Sequence, residues 1–73
     1  MLKRSTKKVI DGKFSELTMN LENNYKDLAR DALKDLQETL EAMRDQGELK
    51  DKEYLRYKEK ADDYARRMVG YHH

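Results

Sequence analysis

The chain has 73 residues and a mass of 8.8 kDa, which is room for one small domain and no second. Charged residues make up 42% and hydrophobic residues 37%, and the formal net charge of +1 excludes a protein coated all over for nucleic acid. Cys, Pro and Trp are absent, so disulfide frameworks and thiolate zinc sites are excluded, and no run of about 18 apolar residues is present to span a membrane.

The N-terminal stretch carries Lys3, Arg4, Lys7, Lys8 and Lys13 against Asp11. It lacks the apolar core of a secretory signal, so a cytoplasmic, unexported protein is expected. Residues 1–9 read as a basic, flexible arm. Lys3, Arg4, Lys7 and Lys8 are candidate phosphate contacts, able to support weak, salt-sensitive binding to nucleic acid without sequence readout. The plainer reading is a solvated tail, or one folded back on the acidic middle of the chain. Residues 14–48 hold nine acids against four bases, and residues 49–73 hold seven bases against five acids. An acidic centre with basic flanks suits antiparallel packing, because neighbouring segments then attract.

Residues 10–73 read as a single helical domain. Ile10, Phe14, Leu17 and Leu21 are spaced four, three and four apart, which places them on one helix face. A second face follows at Tyr25, Leu28, Ala29, Ala32, Leu33, Leu36, Leu40 and Met43, with charged residues between. Asn20, Asn23 and Asn24 cluster where the two faces meet, and two readings compete there. One is a single helix over about residues 10–46. In the other, Asn23 ends a helix, Asn24 caps the next and Asp27 completes a capping-box-like start. The link has neither Gly nor Pro, which favours the continuous helix.

Gly47 follows the second face and can take the left-handed conformation that ends a helix, since it has no Cβ to clash. Lys50 or Asp51 then starts the last helix, over residues 51–71, and Asp51 can accept from its free N–H groups. Tyr54, Tyr57, Ala61, Tyr64, Met68 and Tyr71 alternate steps of three and four, with Leu55, Ala65 and Val69 widening the face. A link of about four residues forces an antiparallel helical hairpin.

A helix over residues 51–71 is about 31 Å long and reaches back only to about residue 24. If the first helix is straight, Phe14, Leu17 and Leu21 overhang it, and a second chain is needed to cover them. The expected all-α architecture is therefore a hairpin with a long first helix, assembling as a helical-bundle dimer through Phe14, Leu17 and Leu21. The alternative is a three-helix bundle with the chain bent at Asn23–Asn24. Few large apolar side chains are available at this length, and small domains without metal or disulfides often gain stability by association.

Leu36, Leu40 and Met43, then Gly47, Leu49, Glu53, Tyr54 and Lys58, resemble the short C-terminal two-helix domain family over about residues 33–60. Lys50 stands where that family has a capping Ser or Thr. The resemblance implies a helical hairpin that mediates association, and it brings no catalytic residue.

Tyr54, Tyr57, Tyr64 and Tyr71 form a stripe that could be a partner surface, since tyrosine offers large contact area at low entropy loss. The plainer reading is a core with hydroxyls at its rim. His72 and His73 are adjacent at the end of the chain, a poor arrangement for a metal site, and no metal or cofactor is expected. No phosphate loop, nucleophile elbow or ligand cluster is present, so an enzyme is not expected. The reading is a helical protein–protein interaction or oligomerisation module of unknown process. The alternative is a nucleic-acid-associated factor using the basic arm, with Arg66 and Arg67 as further contacts.

Overall fold

The three apolar faces of the sequence become three helices. The structure is a computed structural model and describes residues 3–68; Tyr71, His72 and His73 lie outside the described residues. All regular structure among them is helical: α1 (Arg4–Glu22), α2 (Lys26–Asp45) and α3 (Asp51–Arg67). α2 is central and packs against both neighbours, antiparallel to each, so α1 and α3 run parallel. None of the helices is long and apolar enough to cross a membrane.

The core comes from one stripe of each helix. Ile10, Phe14 and Leu17 come from α1, Ala29, Leu33, Leu36 and Leu40 from α2, and Tyr54 and Ala61 from α3, with Leu49 from the second link and Met68 after α3. Ile10, Leu17, Leu36 and Leu40 are the largest fully buried side chains, each stabilising the fold by roughly 2 kcal/mol relative to exposure. Ala29 and Ala61 are as deeply buried, and their small size lets the helices approach.

A continuous helix over residues 10–46 does not form. α1 ends at Glu22, and Asn24 adopts a left-handed φ of 59°. Asn tolerates this region better than other side-chain-bearing residues because its short polar group bonds locally. The Asn24 N–H donates to the Leu21 carbonyl at 3.2 Å and the Tyr25 N–H to the Asn20 carbonyl at 2.9 Å. These two bonds satisfy the open carbonyls of α1 and turn the chain back. Asn24 does not cap α2; Tyr25 holds that position and makes no side-chain cap bond.

The reversal lays α1 along α2, with the Lys13 ammonium against Asp35. Phe14 and Leu17 are buried within the chain, and Leu21 packs against the same core. The overhang that called for a second chain is therefore absent. The expected flexible arm is also shorter, since Arg4–Val9 belong to α1. Thr6 extends the inward stripe about one turn beyond Ile10, and its hydroxyl donates to Glu48 in the second link at 3.4 Å.

The second link turns at Gly47 as expected, but Asp51 pairs with Arg44 and makes no cap bond to α3. Gly47 has φ 80°, its N–H donates to the Arg44 carbonyl at 3.1 Å, and the Glu48 N–H donates to the Met43 carbonyl at 2.8 Å. At the start of α3 the Lys50 N–H donates to Glu53 at 3.1 Å. The Lys50 ammonium has no lone pair to return, so only this half of a capping box is made. Three residues assigned to apolar faces lie outward: Tyr25, Leu28 and Leu55 are exposed. The inward stripes are narrower than the sequence pattern suggested, and Tyr25 stands at the turn itself.

Candidate functional site

α1 and α3 approach each other chiefly through side chains, because α2 holds their backbones apart. Large rings bridge the space. The Phe14 centroid lies 6.2 Å from that of Tyr57 and 6.0 Å from that of Tyr64, both tilted, a favourable arrangement for aromatic pairs. The Thr18 hydroxyl donates to the Phe14 carbonyl at 2.9 Å, so its 2.9 Å contact with the Tyr64 hydroxyl must be one in which Tyr64 donates. Both hydroxyls are thereby committed to structure.

Above the rings an open groove of about 570 Å³ runs between α1 and α3. Phe14 and Tyr64 form its floor, Asp11, Ser15, Thr18, Met19 and Glu22 line the α1 side, and Lys60 lines the α3 side. The Lys60 ammonium sits 4.6 Å above the Phe14 ring and the Arg67 guanidinium 5.3 Å from that of Tyr64. Cations over ring faces are attracted by the π-electron density, so the aromatic floor is partly roofed by positive charge. A second groove, of about 330 Å³, lies between α2 and α3 and is lined mainly by charged side chains, Glu38, Glu41, Lys58 and Asp62 among them.

Tyr57 titrates above its ordinary value. Burial pushes its hydroxyl pKa up, the carboxylates of Asp11 and Glu53 push it further the same way, and Arg56 pulls it back. This also places Asp11 of α1 and Glu53 and Arg56 of α3 around one hydroxyl.

Of the tyrosine stripe, Tyr54 is buried under the Arg44 guanidinium, which lies 4.7 Å from its ring centroid. Tyr57 and Tyr64 are half-buried and pack on the core, and Tyr71 lies outside the described residues. The described members thus pack on the core, and of them Tyr64 lines the groove between α1 and α3. Lys3, Arg4, Lys7 and Lys8 are all exposed. Arg66 and Arg67 pair with Asp63 at 3.3 and 3.0 Å. Among the described residues no group of three or more acids or histidines is placed to hold a metal ion.

The sequence reading missed the groove. Its lining combines Phe14 and Thr18 with Lys60 and Tyr64, which lie more than forty residues apart and come together only after the first turn. Compared with known proteins, the chain matches no family model, no curated protein and no solved structure.

Proposed function

We propose that the chain is a non-enzymatic helical module that works by protein–protein contact, with the α1/α3 groove as its docking face. The observation that carries this reading is the open space between two parallel helices that meet chiefly through side chains, which leaves Phe14 and Tyr64 as an apolar floor. A partner helix laid between α1 and α3 would complete a four-helix arrangement and bury that floor. The likeness of residues 33–60 to the two-helix association family points the same way, since α2, Gly47 and α3 form such a hairpin. Self-association through Phe14, Leu17 and Leu21 requires α1 to leave the bundle, so the groove is the more accessible face for a second copy.

Catalysis has little to work with at this face. The Thr18 hydroxyl is committed to Phe14 and Tyr64, and Ser15 has no hydrogen-bonded base beside it. The groove is also too open to exclude water.

A photoreactive side chain placed at Ser15, on this groove, and at Glu38, on the charged groove between α2 and α3, tests the reading in cells that make the protein. Adducts with a protein are expected from Ser15 and not from Glu38. Equal adducts from both, or none from Ser15, would overturn it. Light scattering of the pure protein separates a second copy from a different partner.

A further inference from the structure

The end of the bundle where α1 and α3 begin is set apart by its cations. The ion-paired bases lie elsewhere or across the second link: Lys13 with Asp35, Arg44 with Asp51, Lys58 with Asp62, and Arg66 and Arg67 with Asp63. Lys3 just before α1, Arg4, Lys7 and Lys8 within it, and Lys50, Lys52 and Arg56 at the start of α3, have no carboxylate within ion-pair distance among the described residues, and all seven are exposed. The Thr6–Glu48 contact and the shared neighbourhood of Asp11, Glu53 and Arg56 around Tyr57 bring the two groups to one end.

The acids at that end, Asp11, Asp45, Glu48, Asp51 and Glu53, are outnumbered by the seven exposed bases together with Arg44. Asp51 pairs with Arg44 at 3.4 Å, Glu48 accepts from Thr6, and Glu53 accepts from the Lys50 backbone. Nor does the first turn of α1 contain an acid, so its positive helix end faces the same cations. Crowding like charges there opposes folding unless an outside anion relieves it.

We infer that this end of the bundle is a docking surface for the phosphate backbone of a nucleic-acid duplex, held without base readout. Single strands would need exposed rings on which to stack bases, and here Tyr54 is buried beneath Arg44 while Tyr57 is half-buried. An anionic membrane would need an apolar face among the cations. Among the described residues, the exposed apolar side chains near this end, Val9 and Leu55, stand singly on separate helices.

Fluorescence anisotropy with a labelled duplex of about 20 base pairs, over a salt series, tests the inference. Neutralising about five phosphates gives a log-affinity slope against log salt of about −4 to −5. Three triple variants are compared: Arg4→Gln with Lys7→Gln and Lys8→Gln, then Lys50→Gln with Lys52→Gln and Arg56→Gln, and as control Lys34→Gln with Lys58→Gln and Arg66→Gln. All lose the same charge, and Gln keeps helix propensity close to that of Lys and Arg, which circular dichroism verifies. Each variant at the cationic end should flatten the slope by roughly 2 to 3 and weaken binding at least about tenfold at low salt, with the control close to wild type. Equal losses in all three, a salt-insensitive affinity, or no binding at low salt would each overturn the inference. Retention on phosphatidylserine vesicles at a salt concentration that releases the duplex would overturn it in favour of a membrane surface. The outcome is independent of the groove, because none of the substituted residues at this end lines it.

Discussion

At Asn23–Tyr25 and again at Gln46–Lys50 the chain leaves a helix, and both times the same pair of backbone bonds closes the last turn. The residues that allow it differ. Gly47 reaches φ 80° with no Cβ to obstruct it, whereas Asn24 reaches φ 59° against a steric cost of about 1 kcal/mol. Their anchoring differs too. The second junction buries Leu49 in the core, while the first leaves Tyr25 53% exposed and relies on backbone bonds and on what lies beyond it. The first junction is thus the weaker one, yet it decides whether α1 lies on the bundle or projects from it. A turn can be held from a distance, by the packing of the helix it redirects.

The most forceful way to break this comparison is to charge the far side of the weaker junction. Leu17 and Leu36 are both fully buried, Leu17 on α1 and Leu36 on α2. A lone buried carboxylate costs several kcal/mol, comparable to the whole stability of a domain this size. Leu17→Asp should therefore abolish the cooperative thermal transition as completely as Leu36→Asp. If Leu17→Asp leaves a folded α2–α3 hairpin with a clear circular dichroism melt, α1 is not integral to the core and the first junction does not hold it there.

Exchanging the turn residues gives a smaller and sharper effect. Asn24→Gly should stabilise by up to about 1 kcal/mol by removing the left-handed penalty, and Gly47→Val should destabilise by about 1–2 kcal/mol because a β-branched residue resists positive φ. Asn24→Ala should destabilise as well, since Ala adopts positive φ less readily than Asn. A continuous helix makes the opposite forecast, because there Ala improves propensity and Gly weakens it. Chemical denaturation of the three variants measures both signs.

Much of the α2–α3 hairpin was legible in the sequence. Leu33, Leu36, Leu40, Tyr54, Ala61 and Met68 lie on faces that the spacing marked, and all are buried. Gly47 announces its turn because no other residue adopts positive φ so readily. Asn23 and Asn24 are equivocal by comparison, since Asn serves equally as a cap, a helix end or a left-handed residue. The choice among these is made by Phe14 and Leu17 finding a core, a long-range effect that local pattern does not contain. The start of α1 was hidden for another reason. Lys3, Arg4, Lys7 and Lys8 make residues 1–9 look solvated, yet Thr6 points inward and is only 2% exposed. Tyr25, Leu28 and Leu55 were placed inside because apolar spacing marks a face but not its width. The groove was illegible because its two walls meet only through the first junction.

The smallest effect uses alkali to ask whether α1 truly rests beside α3. Burial, the largest influence, and the carboxylates of Asp11 and Glu53 raise the Tyr57 pKa above its ordinary value of 10.0. The folded chain therefore holds this proton more tightly than the unfolded chain does. Below the ordinary value the ring is neutral in both states and its contribution is fully present. As pH rises past that value the unfolded chain ionises first, and stability falls until Tyr57 itself ionises in the fold. Urea unfolding between about pH 8 and pH 11 should show this fall, and Tyr57→Phe should make it shallower. Asp11→Asn should recover part of the difference, because one of the two carboxylates facing the hydroxyl is gone while burial remains. That partial recovery depends on the first junction. In a projecting α1, Asp11 is far from Tyr57 and its removal changes nothing, whereas Glu53→Gln on α3 acts on the ring in either arrangement. A response to Glu53→Gln without one to Asp11→Asn would show α1 detached from α3 at this end.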